Sequence, residues 1–450
     1  MDIVKKTSRF LSAAIILMIA SLSVSCEKDE DFNITKGEQP PIHNYTGVKE
    51  PYTETRRVLI LYECGFNDLS FYLSNNIDSL SKSKLPGNGR KEDVVLVFSK
   101  LAKGSTYKDT PSYLCRLYTD DAGDVVSDTL KTYPATTVAS STATMREVLS
   151  YIKSTYPAKG YGMIYSSHGS GWLPAGYYTN PSAYERNHRP TSGKKMSNGL
   201  LHADIPEGNM ETDDPFAGMV RSIGQDRMST GDVEMSVSEF VEGIPFHLDY
   251  LLFDMCFAGG VEVVYPLRNK ADYLGVSPAE VLAYGMFDYT TITDYLFHEG
   301  ESDLRGLFEY SFNRYDSLEG QRRSATVTLL RTDGLDNLAA VCKDLVSTYS
   351  SAIARAPLSS IQGYFRANRH YFYDLEDTFA KCGASEEDMG RLRKAIDDCI
   401  VYKGSTPSFL EEFDINTYSG LSMYLPCGGT TLLNSLFKDE EWNKAVGLVK

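Results

Sequence analysis

The sequence predicts an α/β fold in which a mostly parallel sheet is covered by helices on both faces. Three observations carry that expectation. Short runs that are apolar at nearly every position recur along the chain, as strands buried on both faces require. Segments with a single apolar helical face separate them. The 450 residues, 42% of them hydrophobic, are enough to bury such a sheet on both sides.

The first segment is an address rather than an element of the fold. Lys5, Lys6 and Arg9 precede the apolar run "FLSAAIILMIASLSV", which ends in small residues and Cys26. Residues 1–25 are therefore expected to be a signal peptide, with Cys26 the point of lipid attachment. The "EKDED" after the cysteine is similar to the acidic tag of lipoproteins displayed on the outer face of Gram-negative cells. Residues 26–55, polar and broken by proline, read as a tether.

The folded part opens with "RVLILYE" (57–63) and "DVVLVFS" (93–99), two β-branched runs of buried-strand type. Between them Asn67 and Asp68 are candidate helix caps, and Leu69, Leu73, Ile77 and Leu80 share one helix face. "SYLCRLY" (112–118) adds a strand, and Thr144 with Glu147 forms a potential capping box ahead of Met145, Val148, Leu149 and Ile152. "GYGMIYSS" (160–167) and "HLDYLLFDMC" (247–256) are further strands, and Ser236 with Glu239 marks a second capping box between them. Helix-like runs at 334–353 and 385–402 dominate the last third, which reads as an accessory region, 301–450, behind a core of 56–300.

A formal charge of −15 without clustered Lys or Arg excludes nucleic acid and anionic lipid headgroups as partners. Once Cys26 is set aside, seven cysteines remain, an odd number without repeated spacing, so no disulfide framework organises the chain. No Cys/His set has zinc spacing, and no EF-hand-like series appears.

Two residues stand apart. His168 follows a buried strand, with Gly169, Ser170 and Gly171 leaving room for a ligand to approach. Taken alone it is better read as a satisfied surface histidine than as a catalytic imidazole. Cys256 ends a second strand and is followed by Ala258, Gly259 and Gly260. In open α/β sheets functional groups gather at the carboxyl ends of parallel strands, and a helix start beyond the cysteine favours its thiolate.

"RVLILYECGFNDLS", "SSHGSGW" and "FDMC" together resemble the opening strand, histidine motif and Asp-x-Cys motif of the clostripain-like cysteine peptidases of the caspase-like clan. The resemblance spans about 56–290, with an echo in "SGLSMYLP" (419–426). It implies a caspase-like α/β/α sandwich, Cys256 as nucleophile, His168 as general acid, and the Gly169 and Cys256 main-chain N–H groups as oxyanion donors. It also implies a substrate pocket drawn from Asp254, Ser277, Glu280, Tyr284 and Asp288, accepting Arg or Lys before the cleaved bond. Tyr284 stands where the family pattern has a second acid, and Asp288 reads equally as a substitute for that acid or as a cap of the next segment. No cofactor is required, calcium binding is left open, and a cut between residues 173 and 227 would activate the chain. The expected protein is a monomeric surface lipoprotein acting on peptides. Its rival is a catalytically silent binding or adhesion protein on the same fold.

Overall fold

A computed structural model describes residues 55–89, 91–103, 107–178, 180–188, 223–366 and 370–450. The signal, the tether with Cys26 and most of residues 173–227 lie outside these residues.

The expected apolar runs form strands, and further strands that the sequence pattern did not single out join them. They are β1 (Thr55–Gly65), β2 (Val94–Leu101), β3 (Ser112–Thr119), β4 (Val125–Tyr133) and β5 (Ala158–Ser166), followed by a hairpin of β6 (Ile223–Met228) and β7 (Gly231–Met235). Then come β8 (Leu248–Asp254), β9 (Ala271–Val276), β10 (Thr326–Arg331), β11 (Tyr373–Asp374) and β12 (Ile400–Ser405). Nine of them make one sheet in the order β12-β10-β9-β8-β5-β1-β2-β3-β4. The five central strands, β9 to β2, run parallel, and both flanks are antiparallel. The region after residue 300 supplies β10 and β12 as well as helices, so the sheet crosses the boundary expected there.

Alternation along β1 divides the core. Val58, Ile60, Tyr62 and Cys64 face one layer with the helices Thr142–Thr155, Val237–Gly243 and Leu335–Ile353. Leu59 and Leu61 face the other, with the helices Ser70–Leu80, Ile292–Leu296 and Leu304–Asp316. Because side chains alternate with period two, one run of consecutive apolar residues feeds both layers.

Of the two expected capping boxes, one differs and one forms. The helix Thr142–Thr155 begins before the proposed Thr144 cap, and it is the Ser141 hydroxyl that accepts from the Thr144 N–H. The Ser236–Glu239 capping box forms as read, with both reciprocal hydrogen bonds. The late "SGLSMYLP" strand, Ser422–Met423, pairs with β11 and bridges Gly260 rather than joining the main sheet. There the Ser422 N–H donates to the Gly259 carbonyl (2.9 Å) and the Tyr424 N–H to Glu262 Oε1 (2.8 Å), clamping the segment that follows Cys256.

Candidate active site

β1, β5 and β8 end side by side, with Glu63 opposite Ser166 and Ser166 opposite Asp254. The chain leaving β5 is fixed at once. Ser167 Oγ donates to the Cys64 carbonyl (2.6 Å) and accepts from the Gln225 N–H (3.1 Å), tying β1, β5 and the β6–β7 hairpin together. His168 follows, 4% exposed, and its carbonyl accepts from the Gly224 N–H (3.0 Å). Its Nε2 lies 2.5 Å from Asp68 Oδ1. Asp68 therefore does not cap a helix. The helix Ser70–Leu80 starts without a side-chain cap, and the Asn67 side chain receives the Leu69 N–H (2.9 Å).

Cys256 lies two residues beyond β8 and is partly exposed. The next residue, Phe257, has φ 56°, a left-handed conformation rare for a bulky side chain. Such a turn persists only where its surroundings enforce it. Here the Phe257 N–H donates to the Ala279 carbonyl (2.9 Å) and the Gly259 N–H to the Ser277 carbonyl (2.8 Å), while the Phe257 ring stacks on Phe372. The Val281 N–H donates to Cys256 Sγ (3.3 Å) and the thiol donates to the Val281 carbonyl (3.6 Å), so one residue's main chain holds the sulfur in place. Histidine and cysteine turns meet at Gly169. A Cβ there would lie 2.5 Å from the Cys256 carbonyl oxygen and 2.4 Å from Met255 Cγ, so only glycine permits this approach.

Asp254 sits beneath the turn and is 6% exposed. Its Oδ1 accepts from the Met286 N–H (2.6 Å) and its Oδ2 from the Tyr289 hydroxyl (2.8 Å). Burial raises its carboxyl above the ordinary range, while these hydrogen bonds and the Arg314 charge pull the other way. Burial, with Asp254 beside it, also pushes the fully buried Glu63 well up. For Asp288, burial is outweighed by hydrogen bonds from Thr290 and Tyr310, which leave it below the ordinary value.

The other expected pocket residues divide by environment. Ser277 is fully buried, and its hydroxyl is within 2.7 Å of Thr326 Oγ1. Glu280 takes both arms of the Arg366 guanidinium in a bidentate pair, the Nη2 contact at 2.9 Å. Tyr284 meets Tyr72 edge-on, on the first turn of the helix that follows Asp68. Reading the sequence missed Asp68 and the Val281 N–H as partners of the two central residues. Among the described residues, no cluster of three or more His, Cys, Asp or Glu side chains could hold a metal ion.

A helix-covered, centrally parallel sheet whose carboxyl edge packs a histidine-bearing turn against a cysteine-bearing turn is the architecture of the caspase-like cysteine hydrolases. The clostripain family model, peptidase C11, matches residues 61–186 and 207–421, and the chain belongs to that family. It is a cysteine peptidase.

Among solved structures, the chain is similar to an inactive zymogen C11 protease from Parabacteroides distasonis, at 26% identity and TM-score 0.66, covering 89% of this chain and 99% of that one. It is also similar to a secreted C11 cysteine protease from Bacteroides thetaiotaomicron, at 22% identity and TM-score 0.66, covering 88% and 99%. The same Bacteroides thetaiotaomicron description with an irreversible peptide inhibitor aligns at 21% identity and TM-score 0.65, covering 87% and 99%. Comparison with curated proteins found no match.

Proposed function

We propose that the chain is a surface-anchored endopeptidase that cleaves peptide bonds through Cys256 and His168. The observation that carries this reading is the approach at Gly169, which sets the histidine turn against the carbonyl of the cysteine. The Cys256 thiolate attacks the scissile carbonyl carbon, and the oxyanion that forms is held by the Gly169 and Cys256 N–H groups. His168 gives a proton to the departing amine, leaving a thioester. Water, deprotonated by His168, then attacks the thioester, and the thiol and the new carboxylate are released. No metal takes part in these steps.

A preference for Arg or Lys before the cleaved bond would come from Asp254, with Asp288 as a second negative charge. Two features make that preference modest: both Asp254 oxygens already accept hydrogen bonds, and Arg314 places a cation near both acids. Activation by a cut within residues 173–227 is supported by a Gly-, Ser- and Pro-containing composition that suits nicking. The Parabacteroides distasonis relative, described as an inactive zymogen, supports the same idea. Lipid attachment at Cys26 is supported by the leader and the acidic run.

Internally quenched peptides carrying Arg, Lys or Leu before the scissile bond test the reading. Wild type should cleave, and Cys256→Ala and His168→Ala should lose at least about three powers of ten in kcat/KM, as expected when a residue of a catalytic unit is removed. Equal cleavage by Cys256→Ala would overturn the mechanism. Tight peptide binding without cleavage, before and after nicking, would favour the silent binding protein.

A further inference from the structure

We propose that Asp68 is a positioning residue for His168, so that the working unit is a Cys-His-Asp relay tuned by Arg227. The proposal rests on the catalytic reading of Cys256 and His168. The sequence hides the link, because Asp68 precedes His168 by a hundred positions and stands at a helix start.

The geometry fixes the roles. Asp68 Oδ1 is 2.5 Å from Nε2 of a side chain that is only 5% exposed, while Asp68 itself is 30% exposed. A carboxylate there holds the proton on Nε2 and selects one ring orientation, which leaves Nδ1 to serve the reacting atoms. It also stabilises the imidazolium, the form that must give a proton to the leaving amine.

The surrounding charges set the size of the effect. Arg227, on β6, approaches the same carboxylate oxygen at 3.6 Å and draws off part of its field. Arg227 is itself steadied by the Tyr107 hydroxyl (3.3 Å) and faces Asp232 on β7. Asp68 bears on His168 directly, Arg227 and Asp232 stand behind it, and the Cys256 main-chain carbonyl packs against the adjacent Gly169. An anion at hydrogen-bond distance raises an imidazole pKa by one to three units, and partial exposure with a neighbouring cation places the effect at about one unit.

The experiment separates this proposal from the catalytic reading. In the intact Cys256→Ala protein, NMR titration of the His168 imidazole needs no activity. Asp68→Asn should lower its pKa by about one unit, and Arg227→Gln should raise it by a smaller amount. In the active protein, Asp68→Asn should reduce kcat/KM by roughly 10- to 100-fold, mostly in kcat, and move the alkaline limb of the pH profile down by the same unit. Asp68→Glu should recover part of the rate. An unshifted His168 in Asp68→Asn, in a protein whose melting curve matches its parent, would overturn the relay. If His168 shifts while Cys256→Ala remains active, the relay stands as a pKa effect and the thiol mechanism falls.

Discussion

Gly169→Ala places one methyl group where the His168 and Cys256 turns touch, and its consequences can be worked from the coordinates. The new Cβ would stand 2.5 Å from the Cys256 carbonyl oxygen, 2.4 Å from Met255 Cγ and 2.8 Å from Met255 Sδ, all well inside ordinary contact. The methionine side chain can move, but the carbonyl cannot move freely. The Phe257 N–H is bonded to Ala279, Gly259 to Ser277, and Ser422 to Gly259, so the loop after Cys256 is held on two sides. The His168 turn must therefore retreat by roughly an ångström, a displacement that costs about 100-fold in rate when it separates reacting groups. Overpacking of this kind lowers stability by about 1–3 kcal/mol. Initial rates on a peptide amide under single-turnover conditions, alongside urea unfolding, measure the two effects separately. We expect kcat to fall far more than binding, with the chain still folded. Full activity at unchanged stability would refute the claim that this approach sets the catalytic geometry.

Other consequences are sharper in sign than in size. Asp254→Asn can keep the bond from the Met286 N–H and turn its amide NH2 toward the Tyr289 hydroxyl oxygen, reversing that bond, yet it removes the charge. Efficiency on Arg and Lys substrates should fall about tenfold while Leu substrates are spared, and an equal loss on all three would assign Asp254 to support of the turn alone. Burial pushes Glu262 from its ordinary 4.5 up to about 8. The folded state therefore holds a proton that the unfolded chain gives up. This contribution to stability is full below about 4.5 and is lost as pH rises toward about 8, with a slope of about 1.4 kcal/mol per pH unit. Glu262→Gln should flatten the change in melting temperature between pH 5 and 8, and an unchanged slope would show that another group carries it. Ser236→Ala breaks a formed capping box and should cost about 1 kcal/mol in urea unfolding, with kcat unchanged.

The sequence disclosed the parts of this protein whose physics is local. β1, β2, β5 and β8 are continuous apolar runs because both their faces are covered, and His168 and Cys256 could be placed because strand ends follow from such runs. β4 escaped notice because polar residues interrupt it at the sheet edge, and the β6–β7 hairpin because "IGQDRM" and "GDVEM" carry little apolar signal. Asp68 looked like a cap because an aspartate before a helix usually is one. Its actual partner is set by the parallel pairing of β1 with β5, which no local pattern encodes. The Val281 N–H that meets Cys256 Sγ is main chain and leaves no mark on residue identity. Ser277 and Glu280 sit in the segment expected to wall the pocket, yet their side chains engage Thr326 and Arg366.

The claim at the centre of this account is that Cys256 is the nucleophile, and covalent trapping tests it most directly. Burial pushes the thiols of Cys64, Cys115, Cys342, Cys382 and Cys399 above their ordinary value, which leaves them poor nucleophiles near neutral pH, and the exposed Cys427 is the competing thiol that the mapping must tell apart. A peptidyl chloromethyl ketone with a basic residue next to the warhead should add once per chain, in step with loss of activity, and peptide mapping by mass spectrometry should place the adduct on Cys256. An active protein that is inactivated through an adduct on another cysteine, with Cys256 unmodified, would contradict the account.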